Sequence, residues 1–233
     1  MINETLWPLG LAVVVFVGIH IGLSVLSFRA MIIGKLGKWV YWKLYSVFLT
    51  ALLGGLILAY VAAPKVQVFE SGTALKHGAL TLMLVSVYFV VVGYTTPSVV
   101  LLSAEGLGLV KGTRGILKVT RHPVLWGIAL WGITHMLANG DGAALIFFGG
   151  MVVLSLAGAV HMEHQKRHQL GTQWDEFAAA TSFWPLAAIV TGRTSVESGE
   201  IHWWQTAATL IVYAGLLYGH AAFGRNVFPY KLL

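Results

Sequence analysis

The chain has no cysteine among its 233 residues. That removes disulfides, thiolate metal sites, iron–sulfur clusters and cysteine nucleophiles. Charge is nearly as scarce: 15 Lys+Arg and nine Asp+Glu make up 10% of the chain, against about a quarter in soluble domains. So few charges cannot coat a water-exposed surface of this size. The only aspartates, Asp141 and Asp175, fall outside the apolar runs, which leaves Ser–His–Asp catalysis poorly supported. No H-E-x-x-H motif occurs, nor any His-and-carboxylate set of the kind zinc or di-iron chemistry needs.

What the chain does have is apolar length. Hydrophobic residues make up 57% and the mean hydropathy is +0.77. Six runs have the character of membrane spans: residues 6–28, 42–63, 75–102, 123–139, 143–160 and 203–223. Pro123 opens the fourth at a helix start, where proline is tolerated, and Asn139-Gly140-Asp141-Gly142 ends it. The start, MINETLWPL, lacks the basic region of a signal peptide. Residues 165–180 read as an amphipathic surface helix, with Leu170, Trp174 and Phe177 on one face. The expected fold is an all-α membrane protein, a single polytopic domain over residues 1–233. It has about six transmembrane helices and that cytoplasmic helix between the fifth and sixth.

The net charge of +6 sits between the apolar runs, so the lipid bilayer, not nucleic acid, is the expected partner. Segments 29–43, 103–122 and 162–202 hold 11 of the 15 Lys+Arg. The positive-inside rule makes these cytoplasmic and leaves both termini periplasmic, in a bacterial inner membrane.

An ionisable side chain inside a span is costly, and so marks function. Here those side chains are histidines: His20 in the first span, His135 in the fourth and His220 near the end of the sixth. Two neutral imidazoles on different helices can hold the iron of a b-type haem, whose apolar macrocycle suits a bundle interior. His20 lies about 12 Å from the cytoplasmic boundary and His135 about 18 Å; a tilt of the first span would align them. Gly18, Gly22, Gly127 and Gly132 allow close approach nearby. At the entry to the fourth span, Arg121-His122-Pro123 can either grip an anionic group or serve as a positive-inside anchor.

The stretch Gly115–Asp141, with Arg121-His122-Pro123 and Trp131 four residues before His135, resembles the signature of the NnrU family. Gly18-Ile-His-Ile-Gly through Arg29, and Thr181-Ser-Phe-Trp-Pro185, resemble the family's first helix and a later segment. The resemblance covers roughly residues 6–190. It implies kinship with 15-cis-zeta-carotene isomerase, a haem b membrane enzyme, and hence His20 and His135 as iron ligands and an apolar polyene as substrate. The plant enzyme has a cysteine three residues before the second histidine. Gly132 stands there in this chain, so a thiolate redox switch is absent. Bacterial members are linked by name to nitrite and nitric oxide reduction, which keeps a redox role or a haem-free assembly role for a denitrification reductase open. A more distant resemblance joins Arg121, His122, Glu163 and Gly171–Phe177 to the isoprenylcysteine and phospholipid methyltransferases. It implies S-adenosylmethionine at the cytoplasmic surface.

Overall fold

In an apolar solvent every backbone N–H and C=O must find its partner inside the protein, and a helix provides this locally. A computed structural model describes residues 5–24, 26–98, 100 and 113–222 of the chain, and among these residues the regular elements are all helical. They are α1 (Trp7–Ser24), α2 (Leu26–Leu36), α3 (Lys38–Ala62), α4 (Thr73–Thr95), α5 (Ile116–Val119), α6 (Pro123–Asn139), α7 (Gly142–Leu170), α8 (Thr172–Ala179), α9 (Ala187–Val190) and α10 (Trp203–Ala222). Four of them, α1, α3, α4 and α7, are long and apolar enough to cross a membrane. Their outward faces are apolar too. Leu58 on α3 is 71% exposed and Val14 on α1 is 68% exposed, an inversion of the soluble pattern that suits lipid as the surrounding solvent.

The helix ends follow from local chemistry. Pro123 begins α6, and Gly140, in the left-handed region at φ 69°, closes it. The Asp141 carboxylate then caps α7 by accepting from the Ala144 N–H at 2.9 Å. At 17 residues, α6 is about 26 Å long, short of the roughly 30 Å hydrocarbon core. It lies between α4 and α7, where small residues let the backbones close in. Gly93 meets Pro123 and Val124, Gly127 meets Val90 and the Ser86 carbonyl, and Gly132 meets Val152 and the Phe148 carbonyl. Two hydroxyls bind the same helix: Ser86 Oγ donates to the Gly127 carbonyl and Ser155 Oγ to that of Leu125.

Two apolar clusters result. Leu9, Val13, Phe16, Leu56, Ala143, Ala144, Phe147, Phe148 and Met151 join α1, α3 and α7. Phe89, Val92, Val100, Ile116, Leu117, Trp126, Trp174 and Phe177 form the second, at the opposite end. The surface helix expected over 165–180 is not one element. α7 continues to Leu170, Gly171 turns the chain at φ 53°, and α8 starts afresh. Trp174 and Phe177 are 1% and 7% exposed in the second cluster, so α8 turns its apolar face to protein. The end of the third expected span, beyond Val100, lies outside the described residues.

The connections gather at two ends. At one, Val68 N–H donates to the Gly140 carbonyl and Gly142 N–H to that of Val66. At the other, His161 and Gln165 meet the Ser24 carbonyl, and Arg121 N–H donates to that of Ser182.

Candidate functional site

The singled-out residues fall in three places. The first is a cavity of about 380 Å³ between α1, α3, α6 and α7. His20 lines it with Tyr41, Tyr45, Ile128, Met151 and His161. The His20 ring has Phe16 and Tyr45 edge-on at 5.8 and 6.3 Å, and its Nδ1 is buried without a hydrogen-bond partner. A buried polar atom without a partner is costly, so the cavity has an unmet demand at His20. The cavity's cation is Arg29, its guanidinium 4.5 Å from the Trp42 ring centroid. Also on the cavity wall, the His161 Nε2 lies 2.9 Å from the Ser24 carbonyl oxygen and 2.6 Å from Gln165 Nε2. The signal for it was the His–Gln pair at i, i+4, one helical turn inside a helix longer than its apolar run suggests.

The second place is an aromatic slot around His135. Phe148 stacks on its ring at 4.5 Å and Trp131 lies at 4.9 Å. Its Nδ1 is 2.9 Å from the Trp131 carbonyl oxygen. A carbonyl can only accept, so the proton sits on Nδ1 and Nε2 is the free lone-pair nitrogen. This is the tautomer and tether that metal-binding histidines use. His220, across from α10, has its ring centroid 6.2 Å from that of His135.

His20 and His135 do not meet. α1 runs alongside α7 with Val13 against Gly150 and Ser24 against His161. That register sets His20 level with residues near 157, whereas His135 is level with Phe148. The separation is about nine residues of α7, roughly 13 Å along the bundle.

The third place is the start of α6. His122 Nε2 donates to Glu163 Oε1 at 3.1 Å, and Arg121 Nε lies 3.3 Å from the same oxygen. The His122 side chain is fully buried and that of Arg121 12% exposed. Arg121 Nε and His122 Nδ1 lack hydrogen-bond partners. Burial pulls the Arg121 guanidinium below its ordinary pKa, and the Glu163 charge opposes that shift. Neither Arg121 nor His122 lines the His20 cavity.

Fold and site together define a protein that is all-helical among its described residues, with four helices long and apolar enough to cross a membrane and with imidazoles carried inside its bundle. The chain belongs to the NnrU family, described as NnrU protein, which matches residues 8–227 and so continues through α10. It is also similar to the chloroplastic 15-cis-zeta-carotene isomerases of Zea mays and Arabidopsis thaliana, 32% identical to each over 79 residues. Those residues are 34% of this chain and 22% of either enzyme, so the match spans about a fifth of the relatives' length. No solved structure matches the chain.

Proposed function

We propose that the chain is an integral membrane haem b protein of six crossings, with both termini on the periplasmic side of a bacterial inner membrane, that isomerises an apolar polyene held in its bundle. The observation that carries this reading is the His135 imidazole. Its proton is committed to the Trp131 carbonyl, and its Nε2 is left free at the position where likeness to the isomerase implies an iron ligand. The donor chemistry fits a haem. The pairing of His20 with His135 on one iron does not, because roughly 13 Å of helix separates their levels. His20 instead belongs to the cavity, where an apolar chain would lie against Tyr45, Ile128 and Met151. His135 would hold the haem, which in its ferrous state would supply the electron density that lowers the barrier to rotation about a polyene double bond. Arg121 already has Glu163 as its counter-charge, so it holds a haem propionate only by exchanging that carboxylate.

Purification in detergent with oxidised and reduced absorption spectra tests the reading. A Soret band and the reduced α/β bands of a b haem are expected, together with conversion of a cis-polyene by the reduced protein. A colourless protein that takes up no added haem would rule it out.

A second reading is favoured by one specific feature, the convergence of Arg121 and His122 on one Glu163 oxygen. That cluster matches the resemblance to S-adenosylmethionine-dependent methyltransferases. Saturable calorimetric binding of S-adenosylmethionine, lost in Glu163→Ala, would establish it. Absence of both cofactors would leave an assembly role in nitrite or nitric oxide reduction.

A further inference from the structure

α7 turns one face to the cavity that holds His20. Met151, Leu154, Ser155, Gly158, His161 and Gln165 stand at i, i+3, i+4, i+7, i+10 and i+14, a single helical stripe. From Met151 to Gln165 the stripe is about 21 Å long, and its chemistry changes along the way. Met151 and Leu154, with Leu125 and Ile128 of α6, make one end apolar. His161 and Gln165 make the other end polar. A space of about 380 Å³ drawn out over that length is narrow, and its volume is within the range of small-molecule sites.

Charge decides what such a space accepts. Arg29 is a cation on the cavity wall, and no Asp or Glu lines it. The carboxylates that form ion pairs among the described residues, Glu163 and Glu200, answer Arg121, His122 and Lys118. Arg29 instead rests on the Trp42 ring, 4.5 Å from its centroid. A ring engages a guanidinium without neutralising it and leaves its N–H edge for an oxyanion. Trp42 touches Tyr45, and Tyr45 touches His20, so Arg29 and His20 stand at opposite ends of one aromatic wall. A cation without a carboxylate, beside an otherwise apolar space, is matched by a ligand with one anionic group and an apolar chain.

A route from the membrane lies beside the cavity. A second, apolar groove, lined by Ile32, Leu36, Leu44 and Phe48 of α2 and α3, shares Leu23, Tyr41 and Tyr45 with it. A ligand dissolved in lipid can enter sideways past the two tyrosines.

We infer that the cavity binds a single-chain anionic amphiphile, its carboxylate or phosphate on Arg29 and its chain toward Ile128 and Met151. The seat of the chain rests on the reading above; the acidic head is added to it and needs no haem.

The test uses the full-length chain in phosphatidylcholine nanodiscs and, as probe, palmitate with a mid-chain diazirine, the cross-linked peptides being mapped by mass spectrometry. Saturable labelling within 125–128 and 151–158 is expected. Unlabelled palmitate and hexadecyl phosphate should compete, and uncharged hexadecanol about tenfold less well, the worth of one charge-assisted contact. The stronger of the two acids identifies the source as a free carboxylic acid or a phosphate lipid. Arg29→Gln should lose the preference for acid over alcohol, and Arg29→Lys should keep most of it. Gly158 lines the cavity and has nothing within 4 Å of an added Cβ, so Gly158→Leu should fill the space without disturbing the fold and abolish labelling. Hexadecanol competing as well as palmitate, or an unchanged preference in Arg29→Gln, would overturn the acidic head and leave an apolar chain in the cavity. Unsaturable labelling, or labelling indifferent to Gly158→Leu, would overturn occupancy of the cavity itself, while the absorption spectra decide the haem separately.

Discussion

At the scale of single residues, the carboxylate of Glu163 is what keeps the buried Arg121 guanidinium and the buried His122 imidazole tolerable. Glu163→Ala leaves Arg121 and His122 without an anion. Full burial of such a pair would make the loss severe, but Glu163 is 28% exposed, so water can replace part of it. A destabilisation of about 1–3 kcal/mol is expected, read as a lower thermal midpoint in detergent; an unchanged midpoint would mean that Arg121 and His122 are satisfied otherwise. Glu200 acts similarly at the loop before α10. Its burial favours the neutral acid, but the bonds it accepts from Lys118 and from the Gly115 and Glu197 N–H groups outweigh that and hold its pKa below the usual carboxylate value. A depressed folded pKa means the stabilisation is complete above the unfolded value and lost as pH falls through the folded one. The protection factors of amides across residues 193–202, taken against the intrinsic exchange rate at each pH, should therefore fall on acidification below the ordinary carboxylate range. Glu200→Gln should show the low protection already at neutral pH, and equal protection in both proteins at every pH would contradict this role.

At the scale of elements, Gly132 of α6 leaves no room for a side chain against α7. A Cβ built on Gly132 would lie 2.7 Å from a Val152 methyl and 2.9 Å from the Phe148 carbonyl oxygen. The second neighbour is backbone of α7 and cannot move aside. Gly132→Cys and Gly132→Ala should each cost about 1–3 kcal/mol by overpacking, measured as a fall in thermal midpoint. Gly54 on α3 has nothing within 4 Å of such a Cβ, and Gly54→Ala should be neutral or stabilising by up to about 1 kcal/mol. If Gly132→Ala behaved like Gly54→Ala, the close seating of α6 on α7 would be refuted.

At the scale of the whole molecule, the lack of cysteine becomes a tool. Single cysteines placed at Glu70 and Ser198, both exposed, probe opposite ends of the bundle without background labelling. Positive-inside topology puts residue 198 in the cytoplasm and residue 70 outside. In intact cells, a membrane-impermeant maleimide should label Glu70→Cys and spare Ser198→Cys until the cells are lysed. Labelling of both before lysis would mean that α6 does not complete a crossing.

The helical class, the lipid surroundings and the positions of most helices could be read from the sequence, because in a bilayer composition and run length alone decide where a backbone must pair with itself. The Arg-His-Pro entry and the embedded histidines were legible for the same reason: polar groups stand out against an apolar ground. Which of them face one another was not. The levels of His20 and His135 depend on the register of α1 along α7, which the seat of Val13 on Gly150 settles, a packing contact with no local signature. Leu170, Trp174 and Phe177 have the spacing of a lipid-facing stripe, and only the turn at Gly171 and the second core cluster make that face a protein contact. The approach of His220 to His135 likewise joins residues 85 positions apart. It exists because both helices pack on α4, where shape complementarity decides what pattern along the chain cannot.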